Sequence, residues 1–199
     1  MIGKLQALFT RRRFQSPAPT LADSESLVSP CAQRLLRYWQ SKRNGSRLPS
    51  RGDVNPTDLN TILPHVFMFD VRPDPLHFIF RLVGTKVVDL FGRDLTGSRI
   101  DQHHMRDVAF WHYDCMTPVV LERAPLALHA KAAWHQGKSR WVGVELLYLP
   151  LSSDGSAVDV LVGTAACHGA DHISFERRGD PKLFDITMIR NPQGPPNES

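Results

Sequence analysis

VFMFDVRPDPLHFIFRLVG, residues 66–84, decides the reading of this chain. Two runs rich in aromatic and β-branched residues, 66–71 and 77–83, flank a turn built from Pro and Asp, and that composition predicts a β-hairpin. In the second run period-2 geometry puts Phe78, Phe80 and Leu82 on one face and His77, Ile79 and Arg81 on the other, where Arg81 is expected to pair with a surface acid. Downstream come LALHAKAAW at 126–134, RWVGVELLYLPL at 140–151 and AVDVLVGTAACH at 157–168, joined by turns containing Gly137 and Asp154-Gly155. Such short connections predict an antiparallel meander. Leu126, Leu128, Ala130, Ala132 and Trp134 alternate with His129 and Lys131, so the first of these strands should bury one face, whereas the last is expected to be covered on both.

Between hairpin and meander, residues 85–123 read as two or three helices. Val87, Val88 and Phe91 end at Gly92, a polar GRDLTG turn follows, and a helix-like run passes through Phe110, Trp111 and Cys115. Thr117-Pro118 has the form of a cap followed by proline and predicts a restart of the helix. Upstream, Ser29-Pro30 and the stop signal Asn44-Gly45 bound a helix from about 30 to 43. Ala32, Leu35, Leu36 and Trp39 line one side of it, with Arg34, Arg37 and Arg43 opposite. Asn55-Pro56 predicts a second, shorter helix ended by Pro64.

The 199 residues, 42% hydrophobic and 22% charged, suit one packed core and exclude a wholly disordered or fibrous chain. No apolar stretch approaches the roughly 18 residues of a membrane span. Net charge is +4, unevenly spread. Residues 1–52 hold ten Lys or Arg against Asp23 and Glu25, a balance of +8, and the remainder carries −4. A basic terminal quarter beside an acidic body disfavours nucleic-acid binding, which asks for a basic groove in the folded part. Residues 15–28 read as a linker, making 1–28 a flexible basic segment. Residues 29–169 read as the domain with its helix, and 170–199, rich in proline at the end, as a mostly disordered tail. Within the basic segment Ile2, Leu5, Leu8 and Phe9 share a helical face ahead of Arg11, Arg12 and Arg13, the candidate contacts to an anionic lipid or acidic partner. Cys31, Cys115 and Cys167 form no CxxC pair, which points to a reducing cytoplasm, and the positive cluster follows the apolar residues, the reverse of a secretory signal.

LLRYWQSKRNGSRLPSRGDVNPTDLNTILPHVFMFDV at 35–71 and FRLVGTKVVDLFGRDLTGSRI at 80–100 resemble a family of bacterial PAS-like proteins in which a single such domain makes up most of the chain. The resemblance covers about 33–166 and is carried by LPSRGDVNP at 48–56, LPHVF at 63–67, and RLVGT with FGRDLTG within 81–97. It implies an α+β fold: a PAS-like five-stranded antiparallel sheet with helices on one face, preceded by an N-terminal helix. It also implies a stand-alone sensory or adaptor role toward a small molecule or a regulatory partner, and a ligand held between sheet and helices. Trp111, His112 and Cys115 are the candidate ligand-binding residues on that reading. On spacing alone, they equally serve as core packing.

The cofactor is open. His103, His104 and His112 fall where some PAS domains hold haem, but adjacent His103 and His104 point to different faces, which disfavours it. Light-sensing flavin domains follow their cysteine with Arg and Gln or an aromatic, whereas Met116-Thr117-Pro118 follow Cys115. His112 with Cys115 is a lone i,i+3 pair, weak grounds for zinc. GxSxG, phosphate-loop and dinucleotide motifs are absent, so no enzyme is expected. Two functions therefore compete: a cytoplasmic sensor or adaptor, a homodimer on one reading of the basic helix, and a peripheral scaffold using residues 1–13 at the inner membrane surface.

Overall fold

The computed structural model describes residues 20–23, 27–100, 108–133, 141–168, 182–190 and 192. In chain order the elements are β1 (Thr20–Asp23), α1 (Pro30–Lys42), β2 (Val66–Pro73), β3 (Leu76–Val83), α2 (Thr85–Phe91), β4 (Arg99–Ile100), α3 (Val108–Glu122), β5 (Leu126–Ala133), β6 (Trp141–Leu151), β7 (Val160–His168) and β8 (Lys182–Arg190). The hairpin and meander form as their composition predicts. They join through β2 and β7, giving the central order β3-β2-β7-β6-β5, antiparallel throughout.

Eight described strands replace the expected five. Short β4 extends the β3 edge, β8 pairs antiparallel with β5, and β1 pairs parallel with β8. The two outer strands lie in segments whose composition reads as linker and tail. An unpaired β5 edge would offer a row of free backbone donors and acceptors, and β8 occupies it. The helix at Pro30–Lys42 matches expectation, but β1 precedes it.

The hairpin also departs from strict alternation. Phe69 lies opposite Phe80 and Met68 opposite Leu82, so Arg81 is the extra residue of a bulge. Leu82 therefore turns to the Met68 side, away from Phe78 and Phe80, and is 38% exposed. Arg81 does meet an acid: its Nη1 donates to Asp70 Oδ1 at 2.9 Å.

Register separates the two sheet faces. Val66, Met68, Val162, Thr164, Glu145 and Leu147 share one, here called outer; Phe67, Phe69, Phe78, Gly163 and Tyr148 share the other. The α1 helix packs outside, burying Leu35, Leu36 and Trp39, and the Trp39 indole donates to the Pro150 carbonyl at 2.8 Å. On the inner side the Tyr113 ring of α3 meets Phe78 edge-on at 5.8 Å. Helices thus cover both faces, not one. Outer residues Leu147, Leu149 and Val162 are as apolar as the inner ones, and burying them needs a second layer.

Two further expectations change. The helix expected after Asn55-Pro56 is instead a pair of 3-10 turns, Pro56–Leu59 and Leu63–His65, with Pro56 opening the first and Pro64 inside the second. Conversely, α3 runs through Pro118 without restarting. The Thr117 hydroxyl donates to the Tyr113 carbonyl at 2.8 Å, and Cys115, Met116 and Val119 are buried, so packing outweighs the missing proline N–H.

Candidate functional site

Residues 48–66 decide the local geometry. A first 3-10 turn, Arg51–Asp53, is closed by Asp53, whose carboxylate accepts from the Ser50 amide and hydroxyl, each at 2.8 Å. Those two bonds, the amide first, hold the Asp53 carboxyl below its ordinary range. The Asn55 side chain caps the next turn, accepting from the Thr57 amide at 3.0 Å. The Tyr38 hydroxyl on α1 accepts from the Asn55 amide at 3.0 Å and lies 3.0 Å from the Asp58 carboxylate, which fastens the turns to the helix.

Held this way, the turns stand off the outer face of the hairpin and leave a groove of about 460 Å³. Val54, Leu59 and Leu63 form one wall and Val66, Met68 and Leu82 the other. Arg51, Asn60 and Thr85 add polar groups, and Gly84 lies where turn and hairpin meet: a Cβ there would overlap the carbonyls of Leu63 and Pro64. The volume falls in the range of small-molecule sites, roughly 300–1,000 Å³. Arg51 donates through Nη1 to the Val54 carbonyl at 3.0 Å, while its Nε is sealed from solvent without an acceptor. Among the described residues no carboxylate lies within ion-pair distance of it.

A second polar centre lies under the start of α1. Glu145, 1% exposed in the middle of β6, accepts from the Val28 amide at 2.7 Å, the Ser29 amide at 2.9 Å and the Ser29 hydroxyl. His129, opposite it on β5, bonds the same carboxylate at 2.6 Å. Burial by itself would raise the Glu145 pKa, but these bonds, His129 and Ser29 foremost, hold it below the ordinary range. Ser29 occupies the N-cap position as expected, yet its hydroxyl serves Glu145 and makes no bond to the helix's own amides. Glu145 binds the Val28 and Ser29 amides just ahead of the helix and so sets an anion near its N-terminus.

Of the residues singled out from sequence, Cys115 is 1% exposed within the core, and burial pushes its thiol pKa well up, opposite to an activated nucleophile. The backbones of Trp111 and His112 lie on α3, but their side chains fall outside the described residues, as do His103, His104, Arg11, Arg12 and Arg13. Beside Cys115, burial pushes the Asp114 carboxyl up to about 7. Among the described residues no group of three or more His, Cys, Asp or Glu side chains gathers to hold a metal.

Sequence reasoning passed over both centres. Glu145 carried a signal: a lone acid inside an 11-residue apolar strand demands buried partners. The groove carried none, because its walls come from three turns and a bulged hairpin that only the fold brings together. No curated protein matches the chain. A family model described as PAS domain matches residues 27–166, from the buried residues before α1 to the central strand β7. With the helix, hairpin, helices and antiparallel meander in that order, the chain belongs to the PAS domain family.

Proposed function

We propose that this chain is a sensory or adaptor protein, with residues 29–169 as its PAS unit, which binds a small molecule and passes the signal to a regulatory protein partner. PAS domains are sensory or interaction modules, and no described helix is long and apolar enough to cross a membrane. The observation that carries the ligand reading is the outer groove, apolar over most of its lining and polar at Arg51, Asn60 and Thr85. On this reading the ligand sits beside the turns at 51–65. Cys115 is buried among core residues, which weighs against its own part in an inner ligand position.

Native mass spectrometry of protein purified from its own host, with a visible absorption spectrum, tests this reading. A co-purifying small molecule released on denaturation supports it; protein that is empty, and stays empty when incubated with host metabolite extract, counts against it. A second reading, docking to an acidic partner, is favoured by the basic side of α1, where Arg34, Arg37, Lys42 and Arg43 are all exposed, and near which Arg47 is exposed as well. On that reading Arg11, Arg12 and Arg13 add further positive charge for the same partner.

A further inference from the structure

We infer that the outer groove takes a small amphiphile with one carboxylate head, its apolar tail between the turns and the hairpin and its head on Arg51. This rests on the ligand reading of the same groove and adds the chemical class. The tail follows from the walls: Val54, Leu59, Leu63, Val66, Met68 and Leu82 offer apolar surface on both sides. The head follows from Arg51. Its Nη1 is committed to the Val54 carbonyl, which leaves the parallel Nε–H and Nη2–H pair, the edge a carboxylate engages with two oxygens. The Nε–H is buried with no acceptor, an uncompensated donor against an apolar wall. Among the described residues no protein carboxylate is paired with this guanidinium. A ligand carboxylate that reaches this edge from the groove satisfies the donor and neutralises the charge together. The bond to Val54 meanwhile keeps the turn in place. A cationic or uncharged head does neither.

Octanoate, octanol and octyltrimethylammonium share a tail and differ in the head. Each is titrated into the full chain while the backbone amide NMR signals are followed. The expected result is that octanoate shifts signals in 51–66 and 82–85 and binds about tenfold more tightly than octanol, with the cation weakest. Arg51→Gln is expected to bring octanoate down to the octanol level. Because Arg51 also pins its turn, Leu82→Glu provides a second variant, at a half-exposed wall position: the lost apolar contact weakens both probes, and the added negative charge should weaken octanoate about tenfold more than octanol. Octanol binding in the groove as tightly as octanoate, or octanoate affinity unmoved in both variants, overturns the carboxylate assignment and leaves the groove reading standing. No shift in those segments with any of the three probes overturns both.

Discussion

At the scale of single residues, Glu145 and Gly163 are the positions with the sharpest demands. Glu145→Gln keeps the shape but replaces an acceptor oxygen with an amide that cannot accept, facing the donors of Val28 and Ser29. It should cost about 2 kcal/mol, read as a lower urea midpoint at unchanged slope. Its pH signature is specific. A carboxyl whose folded pKa is depressed contributes stability above its ordinary value and loses it as pH falls through the depressed one, so the variant should show a flatter acid limb. Gly163 lies between Phe67 and Tyr148 on the inner face, and a Cβ there would overlap the Leu147 carbonyl and the Phe67 ring. Strand backbone on both sides prevents relief, so Gly163→Ala should destabilise by roughly 2 kcal/mol in the same assay. Gly163 does not stand out by type: a glycine in a strand run reads as weakness until the ring filling its space is known.

At the scale of elements, the hairpin shows how little a visible ion pair contributes. Arg81 and Asp70 are 2.9 Å apart, but the arginine side chain is 52% exposed, so water and salt screen the pair. Arg81→Ala should change unfolding free energy by less than about 1 kcal/mol, and a larger loss in chemical denaturation would show that the bulge depends on this contact. The pairing was legible from alternation; the bulge was not, since it arises where Phe67 opposes Val83 and Phe69 opposes Phe80 with an extra residue between them. The 3-10 turns and the unbroken α3 show the same limit. Proline spacing gives the local cost, whereas burial of Cys115, Met116 and Val119 sets whether the cost is borne.

At the scale of the whole molecule, two carboxyls oppose one another in their pH dependence. Burial raises Asp114 to about 7 in the fold, so its contribution is fully present below the ordinary aspartate value and is lost as pH rises through about 7. Glu145 acts in the reverse sense at acid pH. Thermal unfolding across the pH range should therefore show greatest stability in mildly acidic solution. Asp114→Asn should remove the decline toward pH 8, raising stability there by about 1 kcal/mol after allowance for partial exposure. A decline that persists in the variant would assign it to another group.

The sequence by itself determined the α+β class, the hairpin and meander, the helix at Pro30–Lys42 and, through LPSRGDVNP, LPHVF and RLVGT, the PAS resemblance that the family match bears out. These are matters of local period, turn chemistry and linear motif, written within a few residues of one another. Only the tertiary structure decided that helices cover both faces, that β1 and β8 complete the sheet, that Glu145 anchors α1 from a residue 116 positions away, and that three turns leave a groove beside Arg51. Each depends on which surfaces meet. Burial and unpaired hydrogen-bonding groups acquire their cost only when distant segments exclude water together, and no local pattern records that event.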